Sequence, residues 1–203
     1  MIGRTALFVA AIAAHTTVLN AQDQTAKGQA SFIFNGAQIS ISQNPAQAAD
    51  YAARFSAVPP SCDPHCIAPF QAAVGIETVI EPQVLNFLVN AVGKNEGLLL
   101  DARMPEDRAL GYIPGSVSLP FATLAQDNKF RDQILMALGV RVFEDVYNFS
   151  DAQRLMIYDN GPSQNDAGVL ISYLLEAGYP PELMSYYRGG MQVWSVLALT
   201  IEE

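Results

Sequence analysis

Two stretches decide the fold: Leu98-Leu99-Leu100-Asp101-Ala102-Arg103-Met104-Pro105-Glu106, and Gly111-Tyr112-Ile113-Pro114-Gly115-Ser116-Val117-Ser118-Leu119-Pro120 after it. Consecutive leucines leading into an aspartate have no polar alternation, so Leu98 to Leu100 reads as a strand buried on both faces. Val117 to Leu119, Leu155 to Tyr158 and Met184 to Tyr187 are further short strand candidates. Helical spacing lies between and around them, at Leu85 to Val92, Phe130 to Leu138, Val169 to Ala177 and Met191 to Leu197. Strands that alternate with helices predict an α/β protein with a parallel sheet and helices on both faces.

Ahead of this region, Ser31 to Phe34 and Gln38 to Ile41 flank Asn35-Gly36, the signal of a type I′ hairpin. Pro45 to Phe55 has helical character, and the proline-broken run from Val58 to Cys66 then marks a junction. The chain carries no internal repeat. Its 203 residues are 50% apolar and 15% charged, enough for one sizeable core and a small extra module. Lys and Arg total 11 against 20 Asp and Glu, and the net charge of -9 argues against nucleic acid or an anionic membrane as partner.

Residues 1–21 have the pattern of a secretory signal, with Arg4 as the positive region, Ala6 to Ala14 as the apolar stretch and Leu19-Asn20-Ala21 at the cleavage site. The mature protein is expected to begin near Gln22 and to reside in the periplasm. No later stretch approaches the roughly 20 apolar residues of a membrane span, so no transmembrane segment is expected in the mature chain. The expected organisation is a signal peptide over 1–21, a hairpin and Cys62-x-x-x-Cys66 module over 22–75, and a main domain over 76–203.

Three blocks carry a family resemblance. Leu98 to Glu106 with Gly111 to Pro120 resembles the rhodanese pattern of a buried strand ending in Asp-x-Arg, followed by a Gly-His-Ile-Pro-Gly-Ala turn in which Tyr112 replaces the histidine. Leu155 to Tyr158 with the loop Asp159-Asn160-Gly161-Pro162-Ser163-Gln164 is the second block. Gly178-Tyr179 with Tyr187-Arg188-Gly189-Gly190-Met191-Gln192-Val193-Trp194 is the third, similar to the rhodanese Gly-Gly-x-x-x-Trp helix start. The resemblance implies a rhodanese-like five-stranded parallel sheet for residues 76–203, plus a small N-terminal hairpin and helix module like that of exported proteobacterial relatives.

The resemblance also implies a site. In rhodaneses a cysteine opens the loop after the central strand, and inward-pointing N–H groups stabilise its thiolate and persulfide. Asp159 stands at that cysteine's position, and a carboxylate cannot hold a sulfane sulfur. Gln164 stands where the exported relatives carry a second cysteine. No Arg or Lys lies between Asp159 and Tyr179 to hold thiosulfate or phosphate, which also disfavours the Cys-x5-Arg phosphatase chemistry of this fold. No catalytic residue is therefore expected, and no cofactor or metal.

Taken by themselves, Asp159, Asn160, Ser163, Asn165 and Asp166 are suited to capping the loop and a helix start. The same loop is also suited to a small polar ligand or an envelope protein surface, and an aspartyl nucleophile at Asp159 is a remote third reading. Arg103, Asp166 and Arg188 are candidates for the pocket mouth, with Asp101 and Arg103 mainly structural in the family pattern. Cys62 and Cys66 are expected to form a structural disulfide in an oxidising compartment. A redox or sulfur-bearing pair, and a copper site with His65, remain the alternatives. The functional expectation is a non-catalytic binding or scaffolding module, with sulfur transfer, redox work or copper handling at Cys62 and Cys66 as the alternative.

Overall fold

The computed structural model describes residues 24, 25, 27–56, 71–144 and 146–203. The signal sequence and Cys62, His65 and Cys66 lie outside these residues. In chain order the elements are β1 (Ala30–Phe34), β2 (Ala37–Ile41), α1 (Ala48–Phe55), β3 (Glu77–Val79), α2 (Glu81–Asn90), β4 (Gly97–Asp101), α3 (Pro105–Arg108) and β5 (Ser116–Ser118). There follow α4 (Arg131–Ala137), β6 (Arg141–Phe143), β7 (Val146–Asn148), β8 (Arg154–Tyr158), α5 (Asp166–Glu176), β9 (Met184–Tyr187) and α6 (Gly190–Val196).

The main sheet has five strands in the order β3-β9-β8-β4-β5, and every neighbouring pair is parallel. Successive side chains on a strand point to opposite faces, and here both faces are covered. Leu99, Met156, Tyr158 and Tyr187 enter a core with Val84, Leu85 and Leu88 of α2 and Met191 and Trp194 of α6. Leu100, Leu155, Ile157, Met184 and Tyr186 enter a second core with Leu135 of α4 and Leu170, Ile171 and Leu174 of α5. Two covered faces explain why these strands read as unbroken apolar runs.

The N-terminal hairpin has the expected turn, with Asn35 at φ 47° and Gly36 at φ 78° between the paired Phe34 and Ala37. It is part of the core. The Phe32 ring lies 2.7 Å from where a Cβ on Gly115 would stand, so the glycine of the Ile113-Pro114-Gly115 turn makes room for it. Asn44 N–H then donates to the Ala198 carbonyl at 2.7 Å, and Tyr51 and Phe55 of α1 are buried in the first core. Arg54 of α1 pairs with Asp50 at 2.8 Å and with Glu203 near the chain's end.

Several elements differ from the sequence expectation. β3 was not expected, because only Val79 of its three residues is buried. The β6–β7 hairpin was not expected either: Phe143 and Val146 at its tip are exposed and give no inward apolar face. α2 starts at Glu81, with Pro82 in its first turn and Ile80 N–H donating to the Gln83 side chain at 2.9 Å. Among the described residues no helix is long and apolar enough to cross a membrane.

Because Phe32 and α2 share one core, Phe32→Ala is expected to lower the unfolding free energy by about 3 kcal/mol, at the low end of the range for aromatic truncation in a core. Urea unfolding followed by circular dichroism should show a single transition moved to lower denaturant. Two separate transitions would mean that the hairpin folds apart from the sheet.

Candidate functional site

The loop Asp159 to Gln164 leaves the carboxyl end of β8, the central strand, and leads to α5. Open α/β sheets place their sites at this end. The loop is held from the α6 side: Met191 N–H donates to the Asp159 carbonyl at 3.1 Å and Gln192 N–H to the Asn160 carbonyl at 2.9 Å. A Cβ on Gly190 would lie 2.4 Å from the Asp159 oxygen and 2.5 Å from the Gly161 nitrogen, so only glycine permits this approach. The Gln192 side chain adds a bond from Nε2 to the Ser163 hydroxyl at 2.9 Å.

Asp159 is fully buried. Its Oδ1 accepts the Gly161 N–H at 2.9 Å, and its Oδ2 accepts the Ala167 N–H, in the first turn of α5, at 3.0 Å. Asn165, the residue ahead of α5, makes no side-chain cap bond. Of the residues suited to capping, Asp159 takes this role, through the loop, and Asn165 does not. It also explains why α5 begins at Asp166, ahead of the apolar spacing that starts at Val169.

Burial pushes the Asp159 carboxyl up to about 7; the N–H groups of Ala167 and Gly161 oppose this, and the charges of Asp166 and Asp101 add to it. Asp166 is half-buried and raised to about 6, first by burial and then by Asp107 and Asp101, with Arg103 opposing.

Beneath the loop lies a buried polar network. Arg103 Nε donates to Asp101 Oδ1 at 2.8 Å and its Nη2 to Asp101 Oδ2 at 2.7 Å, with both side chains 0% exposed. The remaining donors of Arg103 reach the Asp107 carbonyl at 3.1 Å, the Gly111 carbonyl at 2.9 Å and Asn160 Oδ1 at 3.2 Å. Arg108 and the Tyr158 hydroxyl also donate to Asp101 Oδ2, at 2.8 Å and 2.9 Å, and Arg108 continues to the Ser116 hydroxyl at 3.0 Å.

Of the two roles open to Arg103, it takes the structural one and does not line a pocket mouth, because its guanidinium is consumed beneath the loop. Asp166 lies at the loop's far end, and Arg188 is half-buried just past β9, where its charge acts on Tyr186. Sequence reasoning missed Tyr158, Arg108, Ser116 and Gln192. A tyrosine closing a buried strand beside an aspartate that closes the next one was the available signal for Tyr158. Two cavities, of about 480 and 260 Å³, are lined by no residue of the loop.

The site is thus a buried, self-capped loop at the carboxyl edge of an open α/β sheet, the class of protein that the fold defines. The sequence profile of the rhodanese-like domain matches residues 85–197, and the chain belongs to that family. Similar solved structures include a protein of unknown function from Rhodopseudomonas palustris, described as a possible tyrosine phosphatase, at 19% identity and TM-score 0.45, covering 64% of this chain and 88% of that one. The human single-domain sulfurtransferase is similar at 22% identity and TM-score 0.39, over 58% of this chain and 93% of its own. A single-domain sulfurtransferase of Saccharomyces cerevisiae has 16% identity and TM-score 0.41, over 62% and 92%. No curated protein matches the chain.

The Asp159 carboxyl has a testable consequence. The unfolded chain releases this proton near 3.8 and the folded protein near 7, so the folded state binds more protons between those values. Stability should fall as pH rises through that window, by at most about 1.4 kcal/mol per pH unit for each such carboxyl. Asp159→Asn should flatten the profile of unfolding midpoint against pH between these limits. A slope unchanged in the variant would assign the dependence to other groups.

Proposed function

We propose that this is an exported rhodanese-like protein that carries no sulfur at its loop and acts as a non-catalytic binding or scaffolding module in the bacterial envelope. One observation carries the reading: the Asp159 carboxylate itself takes the N–H groups of Gly161 and Ala167. In the family resemblance these donors belong to a thiolate and its persulfide. Here a side chain of the same protein occupies them, and it has no atom that accepts sulfane sulfur. The absence of any Arg or Lys from Asp159 to Tyr179 adds to this, since an anionic sulfur donor finds no cation on the loop. The partner would be a small polar ligand or an envelope protein.

Purified protein is expected to show no thiosulfate:cyanide sulfurtransferase activity above a heat-treated control. Asp159→Cys should give a thiol with a pKa above the ordinary value of about 8.5, because at this position burial outweighs the backbone N–H donors. Sulfur transfer by that variant should remain weak, with Asp166 repelling the anionic donor. Wild-type turnover that survives replacement of both Cys62 and Cys66 would defeat the proposal, and turnover abolished by those replacements would move the chemistry to the cysteine pair.

Export and the disulfide are checked together. N-terminal sequencing of protein recovered from the periplasm should begin near Gln22, and alkylation under native, non-reducing conditions should modify neither Cys62 nor Cys66. Alkylation of both, or stoichiometric copper in the preparation, would favour the redox or metal reading of the pair.

A further inference from the structure

The cavity of about 480 Å³ opens at the amino ends of the strands, across the sheet from the Asp159 loop. Its charged groups come from three adjacent strands: Glu77 opens β3, Glu182 lies in the turn before β9, and Arg154 opens β8. In the sheet order β3-β9-β8, the acids stand toward one side and the guanidinium at the other. Two strand spacings separate Glu77 from Arg154, roughly 10 Å of backbone. Among the described residues none of these three side chains forms an ion pair, although they line the same cavity. Arg154 instead lies over the Phe87 ring, 5.6 Å from its centroid. One wall is α2, where Asn86 and Asn90, four residues apart on one face, make no side-chain hydrogen bond among the described residues.

Opposite charges held apart across a half-open groove, with exposed carboxamides along its wall, define a ligand class. A phosphate ester would meet two carboxylates for one guanidinium. A neutral sugar would use the carboxamides but leave three charges unmatched. A zwitterion sets its carboxylate at the guanidinium and shares its ammonium between the two carboxylates. Two residues of extended chain span roughly 7 Å, and a charge-assisted contact of about 2.8 Å at each end brings the reach to the scale of the gap. We propose that the groove between α2 and the amino ends of β3, β9 and β8 binds a dipeptide-sized zwitterion, with its ammonium at Glu77 and Glu182 and its carboxylate at Arg154. Asn86 and Asn90 meet the peptide group between the two ends. Such a site is independent of the loop at the other edge of the sheet, so its failure leaves the reading of Asp159 untouched.

The test is a titration of the isotopically labelled mature chain with L-alanyl-L-alanine, followed by amide chemical shifts. Saturable shifts are expected at Glu77, Asn86, Asn90, Arg154 and Glu182, with the Asp159 to Gln164 loop unaffected. N-acetylation or C-amidation of the dipeptide should each weaken binding at least about tenfold, the scale of one lost charged contact. Arg154→Gln and Glu182→Gln should do the same while keeping the wild-type unfolding midpoint, and Glu77→Gln serves should either variant unfold. No saturable shift up to about 10 mM, equal binding of the blocked peptides, or stronger binding of maltose would each overturn the proposal.

Discussion

One buried carboxylate organises the carboxyl edge of the sheet. Asp101 closes β4 and accepts hydrogen bonds from the Nε and Nη2 edge of the Arg103 guanidinium, from Arg108 and from the Tyr158 hydroxyl. A bare carboxylate at 0% exposure is costly, and so is the bare guanidinium that shares its burial; removing either partner would strand the other at a cost of about 3–5 kcal/mol. Because Arg103 spends its other donors on the carbonyls of Asp107 and Gly111 and on Asn160, the pair ties together the segment after β4, the turn before β5 and the loop after β8. Few arrangements of these three segments satisfy every one of those bonds. The polar network thereby ties the loop's position to both of the other segments.

The loop above it is closed by the same logic on a smaller scale. A helix start leaves N–H groups without partners, and it attracts negative charge. Asp159 supplies the acceptors from within the chain. Two effects then oppose each other at one carboxyl, since burial favours the neutral form and the N–H donors favour the charged one, and burial prevails. An anion from solution would have to displace this carboxyl before it could use the same donors. At the other edge of the sheet, Glu77, Glu182 and Arg154 border an open cavity.

What could be read from the residues varied with burial. Strands β4, β8 and β9 are covered on both faces, so their apolar runs announced them. β3 and the β6–β7 hairpin expose most of their side chains, and short strands of that kind leave no periodic signal. The start of α5 was also hidden, because Asp166, Ala167 and Gly168 precede the apolar spacing that begins at Val169. Arg103 illustrates the same limit: an arginine near a candidate loop can point to the pocket or beneath it, and only the position of Asp101 and Asn160 decides which.

By itself the sequence determined the α/β class, the parallel sheet, the Asn35-Gly36 hairpin and the presence of a carboxylate rather than a thiol at the start of the loop. These depend on local patterns: burial of consecutive residues, turn chemistry and the identity of one side chain. Tertiary structure alone decided the partners: Phe32 against Gly115 where the hairpin meets the main core, the Gly111 carbonyl and Asn160 for Arg103, and the Gly161 and Ala167 N–H groups for Asp159. Each of these is a contact between segments distant in the chain or a choice of side-chain direction. The physical reason is that burial is shared among segments: which polar group finds which partner is settled only when the elements close on one another.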